Sequence, residues 1–151
     1  MTGPKTYFIE LNTNNKIRFT CDIVENLYEK NVSVTVFVND AKNAHNLDGQ
    51  LWTWKQESFI PHTILNETAD QSENIIITTS SSIPFQTQAL VFFDPNPSIP
   101  IEKYQYIIDF AETYHPDRLK LSRQRFKQIK SESNAEPEFF KLGAFLKNFT
   151  V

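Results

Sequence analysis

The sequence has 151 residues, of which 40% are hydrophobic and 22% are charged, and this balance excludes disordered and fibrous classes. Fifteen Lys and Arg against 18 Asp and Glu give a formal charge of −3, so the molecule as a whole does not attract a phosphate backbone. One cysteine, Cys21, excludes an internal disulfide, and no apolar run reaches signal-peptide or membrane-spanning length. We therefore expect a single cytoplasmic domain over residues 1–151, with no membrane contact.

The first third of the chain alternates strand and helix patterns. Residues 7–11 are β-prone, and the polar residues 12–15 provide turn and N-cap chemistry for a helix that ends near Lys30. Residues 33–38 predict a β-branched strand, and Asp40 can cap a second helix. Apolar residues at three- and four-residue spacing give each helix one buried face, made of Ile17, Cys21, Val24, Leu27 and Tyr28 in the first and of Ala44, Leu47 and Leu51 in the second.

The middle of the chain combines irregular segments with apolar runs. Periodicity is lost over residues 52–62, which indicates a loop or an irregular edge segment. Residues 74–79 and 89–93 are near-continuous apolar runs, typical of strands that are buried on both faces. Pro100 can open a further helix that ends before His115. The inward-facing residues of that helix are Ile101, Tyr104, Ile108 and Ala111.

The last third is basic and then rich in phenylalanine. Residues 123–130 predict a basic helix, and a polar break follows at residues 131–137. We expect residues 131–151 to form a C-terminal extension with an amphipathic helix docked on the body, although the same pattern fits an exposed helix that binds a partner. The apolar positions of this segment are Phe139, Phe140, Leu142, Phe145, Leu146 and Phe149.

The alternation of strands and helices predicts the α/β class, in particular a three-layer Rossmann-like domain with a mostly parallel central sheet. Nucleotide binding on such a sheet needs glycines at the first strand-to-helix turn, so that backbone amides approach a phosphate closely. The three glycines are Gly3, Gly49 and Gly143, so no nucleotide-binding glycine loop exists and we expect no cofactor. The three histidines lie far apart and show no metal-ligand spacing, so we expect no metal.

Cys21 is the one candidate nucleophile that sequence spacing does not exclude, because a histidine base can meet it in space. Its place on the apolar face of the first predicted helix indicates instead a buried and inert thiol. A small cytosolic α/β hydrolase that uses Cys21 is therefore the enzymatic alternative, while the main expectation is a protein without catalytic activity.

Two segments in the middle of the chain form a specific pair: Leu47-Asp48-Gly49-Gln50-Leu51-Trp52 and, after a short gap, Glu57-Ser58-Phe59-Ile60-Pro61-His62. They resemble the chi subunit family of bacterial DNA polymerase III, which carries an LDxxLW segment followed by an SFxPH segment. The resemblance extends from about residue 5 to residue 130. It implies a non-catalytic accessory subunit of the clamp-loader assembly, which binds the psi subunit and the acidic C-terminal tail of single-stranded DNA-binding protein and reaches DNA only indirectly.

The resemblance implies a psi interface in the paired segments. A Trp and a Phe on irregular backbone would make a rigid apolar anchor at a small entropic cost. The alternative is that these two rings cap the core. The residues assigned to the interface are Leu51, Trp52, Phe59, Pro61 and His62.

The resemblance also implies a binding site for the tail in the basic helix, where Arg123, Phe126 and Lys127 match the arginine, aromatic and lysine of the family's site. An acidic tail that ends in a Phe with a free carboxylate needs a cation beside an apolar slot. Where the family places a lysine four residues before the arginine, this chain has Leu119, and either neighbour can replace it. The full set is Arg118, Lys120, Arg123, Phe126, Lys127, Ile129 and Lys130; the alternatives are a solvated basic face and a direct binder of single-stranded DNA.

Overall fold

The structure is a computed structural model that describes residues 3–53, 63–64, 74–81 and 87–150. Within these residues, the strands are β1 (Lys5–Leu11), β2 (Val34–Phe37), β3 (Thr63–Ile64), β4 (Ile75–Thr78), β5 (Ala89–Phe92), β6 (Tyr106–Glu112) and β7 (Pro137–Phe140). The helices are α1 (Lys16–Glu29), α2 (Ala41–Trp52), α3 (Pro116–Glu132) and α4 (Leu142–Asn148). No helix in the described ranges is long and apolar enough to span a membrane.

The described strands form one sheet in the order β3-β4-β2-β5-β6-β1-β7, and every neighbouring pair is parallel. α1, α2 and α3 connect β1 to β2, β2 to β3 and β6 to β7, and helices cover both faces of the sheet. The prediction of a three-layer Rossmann-like α/β fold is confirmed. The apolar runs at β4 and β5 are buried at every position, as expected for strands covered on both faces.

The helix starts follow from local capping chemistry. Asn15 Oδ1 accepts a hydrogen bond from the Arg18 amide at the start of α1, and Asp40 Oδ1 accepts one from the Asn43 amide at 2.7 Å at the start of α2. Both predicted N-caps are therefore confirmed. At α3, His115 Nδ1 accepts a hydrogen bond from the Arg118 amide, and a proline occupies the first helical position.

The two faces of the sheet carry different cores. The larger core lies under α1, α2 and α4 and includes Ile9 of β1 and Cys21 of α1. The smaller core lies on the α3 face and includes Phe92, Ile99 and Ile107. Successive strand residues point to opposite faces, which is why Phe8 contacts α3 while its neighbour Ile9 belongs to the larger core.

The predicted helix after Pro100 is wrong. Only Ile101–Lys103 forms a single 3-10 turn, and the chain then enters β6, in which all seven residues are buried. Ile108 and Ala111 do lie at helical spacing from the apolar residues before them, but the positions between them are also mostly apolar. Such a run is typical of a strand covered on both faces, and β6 pairs with β5 on one side and with β1 on the other.

The C-terminal part also differs from its prediction. α3 begins at Pro116 instead of after Ser122, because the His115 cap and the proline at its first position start the helix. After the predicted polar break, the phenylalanine-rich segment contains the edge strand β7 and the short helix α4, where a single amphipathic helix was expected. α4 does pack on the body: Phe145 and Phe149 are buried, and Asn26 Nδ2 donates a hydrogen bond to the Leu146 carbonyl at 3.0 Å.

A buried ion pair joins α3 to the sheet. Arg125 donates from Nε and Nη2 to the two carboxylate oxygens of Asp109 on β6, each at 3.0 Å, and Nη2 also donates to the Phe110 carbonyl at 3.2 Å. Asp109 is only 3% exposed. A carboxylate in such a position depends on its guanidinium partner, since an unpaired buried charge is costly.

The substitution Arg125→Ala is expected to lower the free energy of unfolding by about 3 kcal/mol, because it leaves Asp109 buried without its partner. Urea denaturation followed by circular dichroism measures this change. Arg123→Ala is the matched control, since the same replacement two residues away removes an exposed side chain and should cost less than about 0.5 kcal/mol. Equal losses in the two variants would contradict the assigned role of Arg125.

Candidate protein-binding surfaces

α3 presents a line of exposed cations to solvent. Within this helix only Ser122 is fully buried, and four of its five exposed basic residues, Lys120, Arg123, Lys127 and Lys130, follow one another at intervals of three, four and three. Residues at this spacing lie on one side of a helix, and ten residues span about 15 Å along its axis. We call these four residues the basic stripe.

An aromatic pair lies at the edge of the basic stripe. Phe126 is half-buried, and its ring packs against Phe8 of β1 with the centroids 5.2 Å apart and the planes at 63°. The ring therefore helps to hold α3 on the sheet while part of it stays accessible.

Phe139 adds a second accessible ring on the same side of the sheet. It pairs in register with Phe8, so its side chain projects from the face that α3 covers, and it is 51% exposed. Sequence reasoning placed Phe139 in a helix and did not assign it to the site. Two adjacent phenylalanines have no periodicity of their own, so Phe139 and Phe140 fit a short strand as well as a helix.

The two candidates that flank Leu119 lie on different sides of α3. Arg118 donates from Nη1 to the Tyr114 hydroxyl at 3.2 Å, and Nη1 also lies 3.7 Å from Glu112 Oε1. Five residues of helix place Arg118 about 140° around the axis from Arg123. Lys120 lies three residues before Arg123 and belongs to the basic stripe.

Ile129 lies outside the basic stripe. It lines a cavity of about 260 Å³ between α3 and the proline-rich segment that follows β5, together with Ile99 and Arg125. None of the stripe residues lines this cavity, so the structure does not bring Ile129 together with them.

Of the five residues assigned to the psi interface, the structure describes two. Trp52, the last residue of α2, is 47% exposed. Leu51 is fully buried with Ala44 and Leu47, because the three share the inward face of α2, and its side chain therefore offers no surface to a partner. Phe59, Pro61 and His62 lie outside the described residues.

Cys21 is sealed in the larger core. It is 0% exposed, and burial, with smaller contributions from the nearby charges of Asp22 and Glu25, raises the pKa of its thiol to about 12. A thiol of this kind is rarely ionised near neutral pH, and the thiolate is the nucleophilic form. In the described part of the chain, no group of three or more His, Cys, Asp or Glu side chains is placed to hold a metal ion.

Residues 3–135 match the model of a protein family described as DNA polymerase III chi subunit, HolC. The chain belongs to this chi family. A curated relative, DNA polymerase III subunit chi of Pseudomonas aeruginosa, is 29% identical over 55 residues, a match that spans 36% of this chain and 39% of the relative. The match to this chi-family protein thus covers less than half of its length.

Solved structures share the fold of this chi-family chain at low sequence identity. S. cerevisiae Dbp5 bound to RNA and ADP BeF3 has a TM-score of 0.68 at 15% identity, over 95% of this chain and 43% of that one. T4 UvsW has a TM-score of 0.64 at 10% identity, over 93% and 42% of the two chains. The isolated C-terminal domain of a Dbp5 variant, solved with Gle1 and IP6, has a TM-score of 0.57 at 14% identity, over 98% and 100%. These likenesses establish the fold alone.

Native chi-family protein is expected to react with iodoacetamide at Cys21 at least about 100-fold more slowly than the same chain unfolded in urea. A thiol with a pKa of about 12 is ionised in only about one molecule in ten thousand near pH 8, and the core also blocks access to it. Mass spectrometry of timed samples measures the two rates. Rapid alkylation of the folded chain would contradict the core assignment and support a hydrolase.

Proposed function

We propose that this chi-family chain is a non-catalytic accessory subunit of the DNA polymerase III clamp-loader assembly, in which it binds the psi subunit and the acidic C-terminal tail of single-stranded DNA-binding protein. The observation that carries the proposal is the exposed basic stripe beside the accessible rings of Phe126 and Phe139. The family match supports the assembly, and the geometry of α3 supports the kind of peptide that it binds.

The charge distribution favours a peptide end over a nucleic acid as the ligand of α3. The chain has a formal charge of −3, so its cations attract an anion only where they cluster. A carboxylate at the end of a peptide pairs with a guanidinium in two parallel hydrogen bonds, and Arg123 is the one guanidinium of the stripe. The neighbouring rings of Phe126 and Phe139 provide apolar surface for an aromatic side chain.

Lys120 is the better replacement for the family's lysine. It lies one turn before Arg123 on the basic stripe, whereas Arg118 is directed to Tyr114 and Glu112. The stripe thus offers several cations to the successive acidic residues of a tail, with Lys127 and Lys130 beyond the arginine.

Trp52 is proposed as the anchor for psi. A large, half-exposed indole at the end of a helix is the kind of residue that dominates binding energy at protein interfaces. The burial of Leu51 holds the last turn of α2 against the core and so fixes the position of the neighbouring Trp52. With one surface for psi and another for the tail, the subunit would tether the replicase to coated template and raise the effective concentration of the polymerase there.

Reversal of charge at Arg123 tests the tail site. The variant Arg123→Glu is expected to bind the acidic tail peptide at least about tenfold more weakly, or about 1.4 kcal/mol, because it replaces the guanidinium that meets the carboxylate with a like charge. Calorimetric titration with the peptide measures the change.

The matched control is Arg18→Glu, the same reversal on an exposed residue of α1, which should keep the affinity within about twofold. Equal weakening by both variants would show that the tail responds only to net charge. Tight binding of oligonucleotides with a steep salt dependence, lost in Arg123→Glu, would favour the direct binder of single-stranded DNA.

Truncation of Trp52 tests the psi interface. Trp52→Ala is expected to abolish co-purification with psi while the circular dichroism spectrum stays native, because the indole is half-exposed at a helix end. Leu121→Ala is the control, since Leu121 is 54% exposed on α3 and its loss should leave psi binding unchanged. A melted spectrum for Trp52→Ala would instead assign the indole to the core.

A further inference from the structure

A wide trench of about 900 Å³ opens at the amino ends of β1, β6 and β7. Its lining includes Ala144 and Asn148 of α4, and Glu102 and Gln105 from the segment before β6. Its volume lies near the upper end of the range for ligand-binding pockets, about 1,000 Å³. None of the basic-stripe residues lines it, and neither does Trp52, so the trench is a separate surface.

Aromatic rings line the trench. The ring centroid of Tyr7 lies 5.4 Å from that of Phe140, 5.3 Å from Phe145 and 5.6 Å from Phe149, and Tyr106 lies 5.1 Å from Phe149. The faces of such rings carry negative partial charge and attract cations. The chain already uses one of them in this way, because Lys30 Nζ lies 5.2 Å from the centroid of Phe149.

Two tyrosines in the trench lack a polar partner. Tyr104 and Tyr106 are each only 6% exposed, and neither hydroxyl makes a hydrogen bond within the described residues. Neither hydroxyl oxygen is fully enclosed, so the polar end of each side chain opens into the trench that it lines. Each hydroxyl is therefore available to a ligand in the trench, to which it can donate or from which it can accept a hydrogen bond.

The charged side chains of the trench are mainly acidic. Glu102, Glu136 and Glu138 line it and are exposed, and among the described residues only Lys5 opposes them. The pKa of Tyr7 is raised by burial, then by Tyr106 and by the charge of Glu138, which places a carboxylate close to the aromatic floor. The trench therefore combines acceptor oxygens, ring faces and negative charge in one place.

We propose that the trench binds a peptide segment of a partner protein that carries arginine or lysine, with its cationic side chain over the tyrosine rings and beside Glu136 and Glu138. A guanidinium satisfies each feature at once, since it stacks on a ring and donates to carboxylates and hydroxyls. The trench thus selects a basic peptide, whereas the basic stripe on α3 selects an acidic one.

The test uses a blocked tetra-arginine peptide and its citrulline counterpart, which keeps the shape of the side chain and removes the charge. Titration of the full-length, isotope-labelled chain by NMR is expected to shift amides of β1, β6, β7 and α4. The citrulline peptide should bind at least about tenfold more weakly than the arginine peptide. Equal affinity of the two peptides, or shifts confined to other surfaces, would overturn the proposal.

The variant with both Glu136→Gln and Glu138→Gln should bind the arginine peptide at least about fivefold more weakly while its melting temperature is unchanged, because both residues are exposed. Asp117→Asn removes a negative charge in the first turn of α3, near the carboxyl ends of the strands and so away from the trench, and should keep the affinity within about twofold. Equal weakening by the two variants would mean attraction to net charge and would refute the site. A second pair of results would also refute the site: the arginine peptide does not bind, and contacts in the free chain place its own first or last residues across Tyr7 and Tyr106.

Discussion

The paired side chains of Arg125 and Asp109 fix how α3 lies on the sheet, and the proposed tail site depends on that orientation. Two parallel hydrogen bonds from a planar guanidinium to a nearly inaccessible carboxylate allow little rotation of the helix about its axis. With Arg125 directed at the sheet, residues two positions away point about 200° around the helix, so Arg123 and Lys127 must face away from that contact. Arginines that are nearly adjacent in sequence therefore have different roles, one structural and one available for recognition.

The order of the strands separates the two proposed partner surfaces. α2, which ends at Trp52, packs beside β3 and β4 in the layer that contains α1, whereas α3 packs against β6 and β7 in the other layer. Three strand spacings, about 14 Å in total, separate β4 from β6 within the sheet. Because α2 and α3 lie on opposite faces, the thickness of the sheet adds to their separation. A partner on Trp52 and a peptide on the basic stripe would approach from opposite faces, which is the arrangement that a bridging subunit needs.

The sequence predicted the elements whose signals are local. Capping was predicted for the polar segment 12–15, in which Asn15 is the N-cap, and for Asp40, because a short polar side chain before an apolar periodicity commonly caps a helix. β6 was missed because a strand covered on both faces has no alternation, so its apolar residues also fit a helix. The accessibility of Phe139 was not predictable, since it depends on β7 joining the sheet beside β1, a contact between residues far apart in the chain. Leu51 shows the reverse case, because its helical periodicity indicated the core while the family resemblance assigned it to a surface.

The carboxyl ends of the strands explain why no recognition site is proposed in the crevice that α/β proteins commonly use. β1 and β6 are neighbours, but α1 leaves β1 toward one face and α3 leaves β6 toward the other, which makes this a switch point where ligands often bind. Here Lys16 Nζ forms an ion pair with Glu112 Oε1 at 2.8 Å, without hydrogen-bond geometry. The same ammonium group lies near the rings of Phe93 and Phe110. Both side chains of this ion pair are largely buried, and the turn before Lys16 contains no glycine that would let a phosphate approach the backbone. The chain's own ion pair thus occupies this point of the crevice, whereas the cations and rings proposed to bind the two partners lie on α3 and at the ends of α2 and β7.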